Sequence, residues 1–141
     1  MKTARLMAAL TLSILPAAIA SAALPSVQGL WLTDDRKGVV QIAPCGREMC
    51  GTIYKVLDRS PGALDHDANN PDPKLRSRPM VGLQTLSGFT GAGGSWKGGR
   101  AYDPKSGKSY RSTLELQPDG ALKVSGCILF ICEARRWTRL R

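Results

Sequence analysis

The sequence has little of what most catalytic and metal sites require. It contains one histidine, His66, and only four cysteines in 141 residues. Neither cysteine pair has the Cys-x-x-Cys spacing that zinc ribbons and thiol redox sites use. No serine or cysteine is recognisable as an activated nucleophile, and a catalytic triad needs both a nucleophile and its base. We therefore predict no enzymatic activity, no metal site and no cofactor.

Long apolar runs are missing beyond the N-terminus. The one at residues 6–19 follows Lys2 and Arg5, and it is too short to span a bilayer as a helix. The small residues Ala-Ile-Ala-Ser-Ala at 18–22 complete the pattern of a secretory signal peptide. We predict that residues 1–22 are a signal peptide and that residues 23–141 form one exported domain, periplasmic or secreted.

Acidic residues are also few, at 11 against 20 basic ones. Loss of Lys2 and Arg5 with the signal peptide lowers the net charge from +9 to +7, from 18 basic and 11 acidic residues. A basic surface favours anionic partners, although solubility alone is the simpler explanation. The basic residues are dispersed and no aromatic-rich nucleic-acid motif accompanies them, so nucleic-acid binding is not predicted.

What the sequence does contain is a series of β-hairpin signals. Asp103-Pro104 starts a turn, and Gly107 supplies the left-handed residue that closes it. Beyond this turn, residues of one face alternate with polar ones, as in a half-buried strand: Tyr110, Ser112, Leu114 and Leu116. A further turn at residues 117–120 contains Pro, Asp and Gly in the same order. Such regular folding back predicts an antiparallel meander.

Eight strands are predicted in all: residues 29–33, 39–43, 52–57, 80–89, the two that flank the 103–107 turn, 121–126 and 133–140. Short sequential turns favour an all-β fold, a single eight-stranded antiparallel up-and-down barrel, because closure removes the exposed sheet edges. Gly98, Gly99 and Gly126 are candidates for relieving the curvature of barrel strands. A two-sheet sandwich is the alternative.

The four cysteines form two pairs of equal spacing, Cys45 with Cys50 and Cys127 with Cys132. An even number of cysteines in an exported chain indicates disulfides. The spacing suits a bond across a hairpin, although sequence alone permits three connectivities. We predict Cys45–Cys50 and Cys127–Cys132, because each pair brackets a hairpin tip.

Residues 58–79 are polar and rich in proline, and they show no periodicity. A loop of this length is uncommon in a compact domain and is often functional. Asp65, Asp67 and Asn69 have the spacing of the first ligands of a calcium loop, but position six lacks glycine and position twelve is Arg76. A series of Asx-turns is the preferred interpretation, with His66 a solvated loop residue.

Several residues are candidates for ligand binding. Arg76 and Arg78 are able to bind a carboxylate or phosphate, or instead to pair with carboxylates of their own loop, which we prefer. Tyr102 and Tyr110 flank one turn, so their hydroxyls are expected at a barrel opening. For Trp31, Trp96 and Trp137 we favour a structural role in the core over lining a ligand cavity.

The apolar tip, which we define as residues 128–131 (Ile-Leu-Phe-Ile), lies between two cysteines. Four consecutive apolar residues at a hairpin tip cannot all face a core. Three interpretations remain open: a plug in the barrel mouth, a docking surface for a membrane or partner, or a satellite core under the 58–79 loop. In the first two, Phe130 contacts the ligand or membrane, and Arg135 and Arg136 attract anionic groups.

Five motifs occur in order along the chain: Gly29-x-Trp31, Cys45-Gly46-x-x-x-Cys50-Gly51, Asn70-Pro71-Asp72-Pro73-x-Leu75-Arg76-x-Arg78-Pro79-x-x-Gly82, Trp96-x-Gly98-Gly99-x-x-Tyr102-Asp103-Pro104-x-x-Gly107-x-x-Tyr110 and Trp137-x-Arg139. Together they resemble the small exported bacterial proteins called domain of unknown function 2147. The resemblance runs from about Gly29 to Arg139. It implies a lipocalin-like barrel and supplies no catalytic residues. The sequence departs from the family pattern at residues 127–132, where the usual loop lacks the cysteine pair.

Gly29-x-Trp31 on a first strand also resembles the opening signature of lipocalins. That resemblance implies that Trp31 packs at the closed end of the barrel with a late arginine across it, and Arg139 is the candidate.

We therefore expect an exported, monomeric, lipocalin-like protein that binds a small, mostly apolar or amphipathic molecule. The alternative is an envelope interaction module, a filled barrel whose loops contact a protein, a glycan or an anionic membrane surface. A continuous cavity inside the barrel would favour the ligand-binding protein, and a filled interior would favour the interaction module.

Overall fold

Eight strands follow one another along residues 24–141, the part of the chain that the computed structural model describes. They are β1 (Gly29–Leu32), β2 (Gly38–Cys45), β3 (Glu48–Val56), β4 (Gln84–Ala92), β5 (Ser95–Asp103), β6 (Lys108–Leu116), β7 (Leu122–Ile128) and β8 (Ile131–Leu140). The predicted signal peptide, residues 1–22, lies outside the described residues.

Each strand pairs antiparallel with the next, and β8 pairs with β1, so the sheet closes into a barrel. Closure confirms the predicted all-β up-and-down barrel and excludes the two-sheet sandwich. Between residues 24 and 141 the one helix is a short 3-10 turn, Pro73–Leu75, and no helix there is long and apolar enough to cross a membrane.

The prediction for the fourth strand was wrong at its start. Residues 80–83 form a turn, in which the Leu83 N–H donates to the Met80 carbonyl at 3.1 Å. Gly82 within it has φ +87°, a left-handed conformation that breaks the strand. Met80 and Leu83 are buried against Ile53. The apolar residues that suggested a strand therefore anchor the preceding loop.

The predicted turns around β2–β3 and β4–β5 are tighter than expected. Cys45 pairs directly with Glu48, so only two residues form the first turn. Gly93-Gly94 alone joins β4 to β5, whereas the glycine-rich sequence predicts a flexible link over residues 91–95. Both disulfides are present as predicted, Cys45–Cys50 and Cys127–Cys132.

Large side chains fill the centre of the barrel. They form one buried cluster: Val27, Trp31, Val40, Ile42, Leu86, Phe89, Trp96, Leu114, Leu122, Val124 and Trp137. Glycines on the neighbouring strands make room for two of them. A Cβ on Gly99 would overlap the Phe89 ring, and one on Gly51 would lie 2.8 Å from Leu86 Cδ1. The three tryptophans belong to this core.

The up-and-down connectivity places alternate turns at the same end of the barrel. One end, which we call the mouth, carries the β1–β2 turn, the β5–β6 turn and the apolar tip between β7 and β8. It also carries the loop between β3 and β4, which spans residues 57–83 and includes the 58–79 loop predicted from the sequence. The other end, the floor, carries residues 24–28 and the remaining turns. Three features singled out from the sequence, the 58–79 loop, the 103–107 turn and the apolar tip, therefore lie at the same end.

Candidate functional site at the barrel mouth

A buried carboxylate, Asp67, holds the 57–83 loop together and fastens it to β5. The side chain is fully buried. It accepts hydrogen bonds from Tyr102 Oη at 2.5 Å, Asn70 Nδ2 at 2.7 Å and Arg78 Nη2 at 2.8 Å. Four groups from the loop and the barrel therefore share one polar centre, and each satisfies another.

The protonation states in this centre follow from its contacts. Burial raises the pKa of the Asp67 carboxyl, but hydrogen bonds from its three partners and the charge of Arg78 outweigh it, so the pKa lies below its ordinary value. Burial and the neighbouring carboxylate raise the pKa of Tyr102 to about 12. At neutral pH the pair is a carboxylate that accepts and a phenol that donates.

The structure places Arg76 and Arg78 within the loop's own network. Arg78 pairs with Asp67, and Arg76 Nε donates to the Asn70 carbonyl at 2.8 Å. The three candidate calcium ligands have separate partners as well: Asp65 bonds His66 at 2.8 Å, and Asn69 bonds the β5–β6 turn. Their side chains do not converge on one point.

The loop is fastened at both of its sides. The N–H groups of Leu57 and Asp58 donate to the Lys37 carbonyl in the β1–β2 turn. Asn69 Nδ2 donates to the Lys105 carbonyl at 2.9 Å in the β5–β6 turn. Gly107, at φ +68°, allows this close approach, because a Cβ there would collide with the Asn69 carbonyl.

An ion pair crosses the mouth. Lys105 Nζ lies 2.5 Å from Asp35 Oδ2, although the β5–β6 and β1–β2 turns lie on opposite sides of an eight-stranded ring. Burial raises the pKa of Asp35, and hydrogen bonds from Lys105 and Thr33 lower it to below its ordinary value. Together with the 57–83 loop, this pair lies over one half of the mouth, and no loop among residues 24–141 is fastened over the half between β6 and β8.

Beside that half, three neighbouring positions carry small side chains, and a fourth carries a glutamate. Gly99 pairs with Ser112, Ser112 with Gly126, and Gly126 with Glu133. Ser112 is only 4% exposed, and its hydroxyl has no hydrogen-bond partner within the described chain. A buried polar group without a hydrogen-bond partner lowers the stability of the fold, so this position requires an explanation. We call the row of Gly99, Ser112 and Gly126 the notch.

Aromatic and charged side chains surround the notch. The Tyr110 side chain covers Gly126, 3.4 Å from where a Cβ would stand. Arg135, on the same face of β8 as Glu133, contacts Glu133 at 3.1 Å and Asp34 at 3.5 Å. The sequence alternation placed Ser112 on the core face, but nothing in it signalled the unpartnered hydroxyl or the acidic partners of Arg135.

The 57–83 loop does not cover the apolar tip. The exposed fractions are 50% for Ile128, 75% for Leu129, 89% for Phe130 and 68% for Ile131. The satellite-core interpretation of the tip was therefore wrong, and the reason is that the loop is fastened on the other side of the mouth. The tip projects beside the notch.

The floor is closed by a contact that the lipocalin resemblance implied. The Arg139 guanidinium lies 4.2 Å from the centre of the Trp31 ring and donates to the carbonyls of Ser26 and Gln28 at 2.7 and 2.6 Å. A concavity of about 430 Å³ opens beside it, lined by Pro25, Ser26, Gly93, Gly94, Leu116, Gln117, Pro118, Gly120 and Arg139. The guanidinium already donates to two carbonyls there and stacks on Trp31.

Replacement of Asp67 by Asn is expected to destabilise the protein by about 2–3 kcal/mol at neutral pH, because it removes the charge that Arg78 neutralises. The folded-state pKa of Asp67 is depressed, so its contribution is present above the unfolded value near 3.9 and is lost as pH falls through the folded value. Urea unfolding of wild type and variant, at neutral pH and at about pH 3, measures this. An equal difference at both pH values would contradict it. Asp65→Asn, in the exposed part of the loop, is the control.

Replacement of Arg139 by Ala is expected to lower the free energy of unfolding by about 1–2 kcal/mol, through lost packing on Trp31 and lost hydrogen bonds. Arg136→Ala, on the exposed face of the same strand, is expected to cost less than about 1 kcal/mol. Denaturant midpoints of the two variants provide the comparison. An unchanged midpoint in Arg139→Ala would mean that the guanidinium does not stabilise the floor.

Comparison with curated proteins finds no match. Among solved structures, the chain is similar to protein HP1028 from Helicobacter pylori, which is described as belonging to the lipocalin family. The sequences are 25% identical, the match covers 82% of this chain and 84% of the other, and the TM-score is 0.73. The barrel is thus lipocalin-like, a fold that suggests a ligand-binding protein.

The family model described as "Uncharacterized protein conserved in bacteria (DUF2147)" matches residues 29–139. These bounds coincide with the stretch that carries the five sequence motifs, from Gly29 to Arg139. The chain therefore belongs to the bacterial family DUF2147.

Proposed function

We propose that the chain is an exported, non-enzymatic binding protein that takes a small amphipathic molecule at the open half of its mouth. A lipocalin-like neighbour supports a binding role in general. The particular site is proposed from the notch around Ser112. The centre of the barrel is filled by Trp31, Phe89 and their neighbours, so the ligand lies at the mouth and not in the lower half.

The observation that carries this proposal is the buried Ser112 hydroxyl, which has no hydrogen-bond partner among residues 24–141. An unsatisfied hydroxyl in a folded protein costs about 1–3 kcal/mol, and a polar group of a ligand would recover that energy. The flanking positions are glycines, with the Phe89 ring packed against Gly99 and Tyr110 over Gly126, so a ligand reaches the hydroxyl when the Tyr110 side chain moves aside. A stability cost that is kept near the mouth of the barrel supports a binding role for this hydroxyl.

The surroundings favour an amphipathic ligand. The Tyr110 ring and the inward side of Ile128 and Ile131 offer apolar contact, with Ile128 paired directly to Ile131. Arg135 offers a guanidinium to an anionic head group, in exchange for its exposed partner Glu133. Concave sites of this kind combine apolar walls with a few directed polar groups.

Export and the absence of catalysis are parts of the same proposal. Two disulfides are consistent with a periplasmic or extracellular protein. Cleavage after residue 22, which leaves a mature domain at residues 23–141, belongs to the proposal and rests on the sequence pattern of residues 1–22. All four cysteines are bonded, and the one histidine, His66, is exposed and pairs with Asp65. These residues offer no reactive thiolate and no base beside a nucleophile. We propose that the protein acts as a monomer.

One observation favours the alternative function, an envelope interaction module. The interior is filled, while the apolar tip is exposed at the same end as the notch. In that case the loops, and not the notch, would carry the binding activity.

Replacement of Ser112 by Ala tests the proposed site with laurate as the probe, because laurate combines an apolar chain with an anionic head. The variant is expected to bind laurate about fivefold more weakly and to be more stable by about 1 kcal/mol, since it removes an unsatisfied hydroxyl. Isothermal titration and thermal unfolding measure the two quantities.

Thr85→Ala is the matched control, because Thr85 carries another buried, unpartnered hydroxyl, on β4. It is expected to leave laurate affinity unchanged. Equal laurate affinity of wild type and Ser112→Ala, or no binding to either, would contradict the proposed site.

A further inference from the structure

We propose that the apolar tip, together with Arg100 and Arg111, forms a docking surface for an anionic phospholipid bilayer. This inference does not depend on a ligand in the notch. It rests on the exposure of the tip, on its backbone conformation and on the charges beside it.

The tip is a rigid, projecting apolar surface. Ile128 pairs with Ile131, and the Cys127–Cys132 disulfide lies directly behind that pair. Leu129 and Phe130 form the turn itself and are 75% and 89% exposed. Soluble proteins seldom expose such a contiguous cluster without a binding role. The disulfide restricts the backbone of the turn, so the tip loses little conformational entropy when it binds a partner.

The backbone of the tip indicates that leucine at this position does not serve folding. Leu129 has φ +54°, a left-handed conformation that is unfavourable for a bulky residue and favours glycine or asparagine. Its side chain gains almost no burial in return. The guanidinium of Arg111 donates to the Leu129 carbonyl and so connects the basic residue to the turn. An exposed leucine held against its own preference is explained by contact with a partner.

Two arginines on β5 and β6 lie beside the tip. Arg100 and Arg111 are direct cross-strand partners on β5 and β6, an arrangement in which like charges repel. Arg111 is in turn paired with Cys127. Neither guanidinium has a carboxylate within ion-pair distance in the part of the chain that the structure describes. An anionic surface would relieve their repulsion.

The two arginines named from the sequence are less suited to this role. Arg135 is paired with Asp34 and Glu133, and Arg136 with Asp119. The charge beside the tip therefore comes from β5 and β6, and not from β8 as the sequence suggested.

The shape and charge of this surface favour a bilayer over a second copy of the chain. A two-residue turn is convex and too small to bury the roughly 1,200 Å² of a stable protein interface. Contact between two tips would also bring four arginines together. A bilayer deforms around a projecting apolar turn, and its anionic lipids attract the neighbouring basic residues.

Sedimentation with lipid vesicles tests the proposal on the mature, oxidised protein. One vesicle type contains phosphatidylcholine and phosphatidylglycerol, and the other contains phosphatidylcholine alone. We expect binding to the anionic vesicles, weakened by salt. Phe130→Ser is expected to reduce the partition coefficient about tenfold, and Arg100→Gln about fivefold.

Matched controls come from elsewhere on the barrel. Tyr54→Ser removes an exposed aromatic residue from β3, and Lys97→Gln removes an exposed charge near the floor end of β5. Both are expected to bind vesicles like the wild type. Leu129→Gly separates docking from folding, because it relieves the left-handed backbone: it should raise the unfolding temperature and still weaken vesicle binding about fivefold.

Several outcomes would overturn the proposal. They are absence of binding, equal binding to both vesicle types, or equal effects of Phe130→Ser and Tyr54→Ser. A concentration-dependent dimer that Phe130→Ser abolishes would assign the tip to a second copy instead. Unfolding of Phe130→Ser at a clearly lower temperature would make the tip part of the core. Retained laurate binding in Phe130→Ser, with vesicle binding lost, would support docking as separate from the ligand site.

Discussion

The buried carboxylate of Asp67 is the contact on which the arrangement of the mouth depends. It binds Tyr102 on β5 and two residues of its own loop, so a segment with little regular structure acquires one fixed position. Asn69 and the Lys105–Asp35 pair extend that position across the ring of strands. The consequence is an asymmetric mouth: the 57–83 loop and its polar contacts lie over one half, and within residues 24–141 no loop is fastened over the half between β6 and β8.

The two ends of the barrel differ in how closely their side chains are packed. At the floor and centre, Trp31, Phe89 and the residues around them are packed closely, and Arg139 closes the floor. At the half of the mouth between β6 and β8, two features depart from the close packing of the core. Ser112 buries a hydroxyl without a partner, and the apolar tip exposes side chains that a stable fold would cover. Natural proteins keep such local costs mainly where they serve binding. We place the function there for that reason.

Local chemistry explains which features could be predicted from the sequence. Alternation at 110–116, turns with Pro, Asp and Gly, and cysteine spacing each act over a few residues, and they predicted the barrel and both disulfides. The start of β4 was misjudged because Met80 and Leu83 look like strand residues but anchor a loop. The pairing of Arg135 with Asp34, 101 residues away, and the unpartnered state of Ser112 depend on barrel closure, which no local pattern encodes.

The most direct test of this account is a titration of the isotope-labelled mature protein with laurate, followed by amide correlation NMR. The account predicts chemical-shift changes at Tyr110, Ser112 and Gly126, in the notch. It predicts no change at Val27 or at the Trp31 indole, which are buried at the floor. Changes centred on Trp31 would instead mean that the ligand enters the barrel from the floor or fills its centre, and they would contradict the proposed division of the two ends.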